Sequence, residues 1–449
     1  MKKTATMFLT FVFTLILLLS SCGDMQDVSS GDVESVLASN GGTAASSMIL
    51  SGDDETSFSE DAPDEYIDEQ GLKFIKSYKG DYYILDGFDN IKDNKEVTEI
   101  VIPSKVFGVP VKKIDNYALY TLKKLERVVL PNELVVIGNS AFAGDNLLQN
   151  IEFPDTLVYI GEYAFIGCAF SEIKIPESVL YIGNAAFSAT RDLASIVVET
   201  GNARYHSENN CIVETATKTI VAGCMNSIIP DNGSVEIIGR EAFRGCSGLE
   251  SIVFPDSVHT IGDSAFLGCD GLTSIELKFS VRNIGADAFS GCSNLQDVSM
   301  TRCMIYYIPE GMFSGCDSLK NMVLPISINE IRERAFSFCT ALESIEFRSE
   351  NIFYIGSLAF EGCKALKAID LPEKLETIGA CAFGSCNSLS EIYIPASVTT
   401  MGPKVFDGRK INIDIYVEHE SLPEEWDDEW DETQDGDSEH ITVHWKDAE

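Results

Sequence analysis

Basic side chains are scarce in this chain. Its 449 residues carry 33 Lys and Arg against 70 Asp and Glu, a formal net charge of −37. Such a surface repels phosphate backbones and anionic headgroups, so nucleic acid is excluded as a partner. Histidine is nearly absent too: the five are His206, His259, His419, His440 and His444. His440 and His444 are four apart, but Ile441-Thr442-Val443 between them reads as strand, which keeps the rings on one side at a distance. The chain has no HExxH helix, no phosphate-binding Gly-rich loop and no G-x-S-x-G elbow. No CxxC pair offers a zinc site. We therefore expect no cofactor, no metal centre and no catalytic residues.

Long apolar runs are also missing, with one exception. Met7 to Leu19 is apolar apart from Thr10 and Thr14, and Lys2 and Lys3 precede it. The run is short for a membrane span and has the flanks of a secretory leader. It closes on Leu19-Ser20-Ser21-Cys22, which resembles a bacterial lipobox. That resemblance implies that Cys22 becomes an acylated first residue and a lipid anchor in the outer or cytoplasmic membrane, with the chain exposed outside the cytoplasm. The plainer reading is a secretory leader with a chance cysteine. Residues 23–65 are rich in Ser, Gly, Asp and Glu and too polar to build a core, so they read as a flexible tether.

What the rest has in abundance is one phenylalanine, usually after Ala: Phe142, Phe165, Phe187, Phe243, Phe266, Phe289, Phe313, Phe336, Phe360, Phe383 and Phe406. The steps are 23, 22, 56, 23, 23, 24, 23, 24, 23 and 23 residues, and Leu119 opens the series 23 before Phe142. Twelve modules follow. Each begins with Ile-x-apolar-Pro, as in Ile252-Val253-Phe254-Pro255, whose period of two predicts a short strand that Pro terminates. Val-x-x-Ile-Gly comes next and supplies another inward contact, then a Gly for a turn. Ala-Phe-x-Gly-Cys-x-x-Leu closes the coil as a compact turn or short helical return. One such coil cannot bury its own apolar side, so coils must stack with parallel strands and a continuous core. The fold expected is a repeat solenoid of about twelve coils, with an aromatic spine.

The repeated module resembles the BspA-like leucine-rich repeat of bacterial surface antigens, over roughly residues 97–408. Leu72 to Pro110 is similar to that family's N-terminal cap, Asn202 to Ile229 to its hairpin-bearing variant module, and Ile415 to Trp430 to its Trp-bearing end. The resemblance implies surface adhesion or protein binding, without naming a partner, and transfers no catalytic residue. The expected plan is a leader at 1–22, a tether at 23–65, an N-terminal cap and first coil at 66–118, and a solenoid at 119–408. A hairpin insertion falls at about 199–234, and an acidic C-terminal cap with all three Trp at 409–449. The hairpin, Cys211 to Glu214 with Thr219 to Ala222, either presents a binding loop or braces the solenoid side.

Eight cysteines stand three residues after a module Phe, from Cys168 to Cys386. Parallel side chains on stacked coils argue for a reduced, buried ladder rather than disulfides. Cys211 and Cys224, flanking the hairpin, are better placed to pair. The residue between the two inward strand positions points outward and varies between coils. This row gives the candidate ligand face: Glu152, Lys174, Val253, Glu276, Val323, Glu346, Asp370 and Tyr393. Two functions remain open. One is adhesion to extracellular or host proteins through this face. The other is binding of, or action on, glycans by its acidic residues, with Glu346 and Asp370 as an adjacent carboxylate pair, or by the Trp-rich end.

Overall fold

Alternation of apolar and polar residues places the first strand of most modules as expected, although residues 151–153, 252–254 and 369–371 form no strand. The computed structural model describes residues 62–88, 97–408, 412–432 and 441–446. Glu172–Ile175 and Glu391–Ile394 each alternate exposed and buried, and Pro176 and Pro395 follow directly. The coils stack into a solenoid, and the first strands pair in parallel in short groups, such as Asn321–Leu324 with Ser344–Phe347.

The Val-x-x-Ile-Gly segment is more than a contact and a turn. It forms a second, two-residue strand, and this strand builds the longer ladder. Tyr307–Ile308, Glu330–Ile331, Tyr354–Ile355, Thr377–Ile378 and Thr400–Met401 pair in parallel through five rungs. The Gly that follows is needed for closeness, not for a left-handed turn. A Cβ on Gly262 would lie 2.7 Å from the backbone N of Arg240, and one on Gly379 2.3 Å from the N of Ser357. The left-handed backbone lies elsewhere. It occurs two residues before the module Phe, at Ser264, Asp287 and Arg334 (φ 52°, 54° and 55°). It recurs two residues after, at Gly268 and Gly291 (φ 70° and 69°). Left-handed residues on both sides of the Phe interrupt helical geometry. The return is therefore a series of turns, and among the described residues no helix forms.

The recurring phenylalanines line up. Phe142, Phe165 and Phe187 stack at 5.1 and 5.7 Å, and the rings from Phe243 to Phe406 form an unbroken series at 5.0 to 6.0 Å. Nearly all are fully buried. The spine is interrupted once, in the long module. There Gly223 takes the ladder place of a Phe, donating its N–H to Ala242 O at 2.8 Å, and any Cβ on it would strike the Phe243 ring. The interior accordingly divides into two apolar clusters that meet at this module.

The inserted segment does not leave the solenoid. Tyr205–Glu208, Cys211–Glu214 and Thr219–Ala222 form an antiparallel meander, and Thr219–Ala222 then pairs in parallel with Ile237–Ile238 of the second-strand ladder. Its base is tied to the preceding coil. Arg204 donates to Leu180 O at 2.9 Å and to the Glu214 carboxylate at 2.7 Å, and Asn202 donates to Pro176 O and Val179 O. Before the first coil, Glu65–Ile67, Leu72–Lys76 and Tyr83–Phe88 make a second antiparallel meander, whose last strand runs parallel to Val109–Ile114 and starts the ladder.

After Phe406 the repeat continues for one further turn. Ile413–Val417 adds a first strand beside Glu391–Ile394, and Trp426 bridges Met401 in the second-strand position. Trp430 takes the Phe position, its ring edge-on to Phe406 at 6.3 Å. Both indoles are buried, and Trp426 Nε1 donates to Val398 O at 3.2 Å. Ile441–Trp445 adds one more parallel strand beside Ile413–Val417.

Candidate functional site

The first-strand positions carry the candidate face: Lys174, Glu276, Val323, Glu346 and Tyr393 lie in strands, and Glu152, Val253 and Asp370 in the equivalent segments that form none. Their register is fixed from inside: Ile173 stands opposite Ile196 and Ile345 opposite Met322, each buried. Because side chains alternate, the intervening residue must face out. Glu152, Lys174, Glu276, Glu346 and Asp370 are exposed, Val323 is half-buried, and Val253 and Tyr393 keep 70% and 59% of their surface. The charged members are partly neutralised within the face. Lys174 pairs with Glu199, which lowers the Glu199 carboxyl below its ordinary range. Glu346 bonds Arg348 at 3.1 Å, so it is engaged by a guanidinium rather than poised against Asp370.

At the C-terminal end the face becomes aromatic, and here the structure adds residues that sequence reasoning missed. Tyr393 stacks on Tyr416 at 4.7 Å, and Tyr416 on His444 at 4.7 Å, both within 13° of parallel. His444 also contacts the Asp414 carboxylate at 2.9 Å. The signal was present in the alternation Ile413-Asp414-Ile415-Tyr416-Val417, but this stretch reads as acidic cap when only the Phe register is counted. His440 and Cys22 lie outside the described residues.

The cysteines have a defined task. Each module thiol donates to the carbonyl of the Phe on the preceding coil: Cys269 to Phe243 O at 3.1 Å, Cys339 to Phe313 O at 3.0 Å, Cys386 to Phe360 O at 3.2 Å. Cys246 donates instead to Gly223 O, which stands in for the missing Phe. Burial pushes the Cys292 and Cys386 thiols up to about 12, so thiolate is suppressed. All twelve described cysteines are free thiols, Cys211 and Cys224 included, and the last two converge on the Ser227 hydroxyl. Among the described residues no group of three or more His, Cys, Asp or Glu side chains has the arrangement of a metal site.

Solved structures share this solenoid fold. A leucine-rich repeat protein from Eubacterium ventriosum is 22% identical, with a TM-score of 0.59 over 70% of this chain and 92% of its own. One from Bacteroides ovatus is 25% identical, with a TM-score of 0.51 over 86% of this chain and all of its own. No curated protein is significantly similar to the chain. The BspA type Leucine rich repeat region matches in six copies, over residues 112–233, 222–308 and 301–412. With stacked phenylalanines, parallel rungs and a matching repeat through most of its length, the chain belongs to the BspA-type leucine-rich-repeat family.

Proposed function

We propose that this protein is a surface-displayed, lipid-anchored adhesin that recognises extracellular or host proteins through the outward row of its first strands. The observation that carries the reading is the contrast within a single strand. Inward residues repeat from coil to coil, while outward ones change from Lys174 to Glu276, Val323, Glu346 and Tyr393 on a backbone of fixed register. A solenoid can alter such positions without disturbing its core. Large exposed side chains at Val253 and Tyr393 supply the apolar contact that interface centres use, and the acidic members set charge preference. Membership in a family of repeat-based interaction proteins supports binding rather than catalysis.

The test is capture of partners by the purified full chain from host extracts and neighbouring-cell lysates. Capture is then repeated with the charge reversals Glu276→Lys, Glu346→Lys and Asp370→Lys, and with Tyr393→Ser. Loss of a captured protein with any of these supports the reading. Retention of every partner by all four removes this face from consideration. The stacked Tyr393, Tyr416 and His444 favour a second reading, in which a sugar ring rests against the aromatic end of the face. Glycan binding abolished by Tyr393→Ser, with protein capture unchanged, would decide for it.

A further inference from the structure

The second-strand ladder has a break, and a groove lies at the break. Asn283–Ile284 pairs with Thr260–Ile261 before it, and Tyr307–Ile308 pairs with Glu330–Ile331 after it, but the two do not pair with each other. The cause is local. At every regular step the residue after the Ile donates its N–H to the Ile of the preceding rung, as Gly285 does to Ile261 O at 2.8 Å and Arg332 to Ile308 O at 3.0 Å. Pro309 occupies that place and has no N–H to give Ile284 O. The phenylalanine side stays closed, since Asp287 N–H still reaches Glu310 O at 2.8 Å. One rung later Arg332 replaces the repeat's Gly, and its guanidinium lies 3.5 Å from the Tyr307 ring centroid. The resulting groove encloses about 480 Å³.

Its chemistry is uneven. Asp263, Asp287, Glu310, Glu330 and Glu333, in and beside it, outnumber Arg332, which pairs with Glu330 at 3.1 Å, and Arg334, which pairs with Glu333 at 2.6 Å and Glu310 at 3.7 Å. Burial, then the Glu310 and Asp263 carboxylates, raise the Asp287 carboxyl above its ordinary range, and Arg334 and Arg244 oppose them. Tyr354, in register with Glu330, presents a ring that no other described ring covers. The same coils carry exposed apolar side chains: Phe279 at 60%, Tyr306 at 64% and Ile326 at 72%. Three of these four coils also lack the strand-ending Pro, with Lys278, Thr301 and Arg348 in its place.

We propose that this groove is a second binding site, distinct from the first-strand face, that takes a Lys or Arg side chain of a partner protein against Tyr354 and the Glu330 carboxylate oxygen that Arg332 leaves open. Apolar side chains flanking that base rest on Phe279, Tyr306 and Ile326. Charge complementarity selects the occupant. A cation over an aromatic face beside carboxylates is favoured, whereas a second copy of a chain with a net charge of −37 is repelled.

The probe is a fluorescent 12-residue peptide alternating Lys with Leu and Tyr, compared with its Glu-for-Lys counterpart by anisotropy at physiological salt. The full chain should bind the Lys peptide and not the Glu peptide. Restoring the repeat with Pro309→Gly and Arg332→Gly together, or removing the ring with Tyr354→Ser, should weaken binding at least ten-fold. Glu69→Lys, an exposed site before the first coil, should change it less than two-fold. Equal loss with Glu69→Lys means diffuse attraction to an acidic surface and overturns the site. A photoreactive version of the peptide, used on the unaltered chain, should crosslink within residues 279–354. Crosslinks elsewhere, or self-association of the chain that the Pro309→Gly, Arg332→Gly pair abolishes, also overturn it. These outcomes are independent of the first-strand charge reversals.

Discussion

Replacing Asp145 with Asn should stabilise the first complete module, and the gain should grow with pH. Asp145 stands three residues after Phe142, where later modules place Cys, and it is fully buried. Its Oδ1 accepts the Leu122 N–H at 2.6 Å, but Oδ2 has no partner. In the following coil the Cys168 thiol donates to Phe142 O, so the register assigns Leu119 O as the acceptor opposite residue 145. A carboxylate cannot donate to it. Burial raises the Asp145 carboxyl well above its ordinary range, and the Leu122 N–H only partly opposes this. The folded state therefore prefers the protonated acid. Its contribution is fully present below the unfolded-state value of about 4 and is lost as pH rises through the raised folded value. Asn keeps the acceptor for Leu122, adds an N–H₂ donor and does not titrate. Satisfying the orphaned position is worth about 1–3 kcal/mol. A solenoid need not unfold in one step, so the assay is amide hydrogen exchange across residues 119–148 at pH 4.5, 6 and 7.5. Asp145→Asn should slow exchange most at pH 7.5 and least at pH 4.5. Equal protection in both proteins at all three values, or weaker protection in the variant at pH 7.5, would refute the reasoning.

Three further outcomes follow from the packing. Gly262→Ala forces a Cβ to within 2.7 Å of the neighbouring backbone and should cost about 1–3 kcal/mol of local stability by exchange, whereas Arg332→Ala at the equivalent position should be tolerated. Phe313→Ala removes a fully buried ring from the middle of the unbroken stack. It should cost about 3–5 kcal/mol, with exchange rising in both flanking coils; a change confined to its own coil would contradict a shared core. With a maleimide at pH 8, half-buried Cys381 should label before any module cysteine, and Cys292 and Cys386 should label only after unfolding. Fast labelling of Cys292 in the native protein would disprove the buried ladder.

Much of the architecture could be read from residues because the repeat is enforced from inside. Phe, Ile, Ala and Cys recur at fixed offsets, and any coil out of register would leave buried surface unfilled. The role of the glycine after Ile was misread for a physical reason. A sequence shows that a Cβ is unwelcome but not whether torsion or a neighbour forbids it, and the neighbour is a residue 22 positions away, as Arg240 is from Gly262. The left-handed positions before each Phe were not readable at all. They hold Ser140, Tyr163, Glu241, Arg334 and Leu358, side chains with no common preference for that conformation, so the stacking of coils imposes it. Likewise the thirteenth turn hid behind acidic composition, although Trp430 lies 24 residues after Phe406, a step the phenylalanines themselves use.

The candidate sites were less legible, because binding surfaces in a solenoid are the positions that the repeat leaves free. Alternation alone identifies the outward row, since it follows from strand geometry. The groove follows from no positive pattern. It exists because Pro309 lacks one N–H and Arg332 has a side chain where nine other modules carry Gly. In the sequence these are two exceptions in separate coils. In the structure they are adjacent rungs beside Tyr307 and Tyr354, and the exposed apolar residues fall on the same coils. Breaking a hydrogen-bond ladder destabilises a fold, and an exposed apolar rim adds to its cost in water. When a broken rung and an exposed apolar rim fall on the same coils, recognition is the physical reason that joins them.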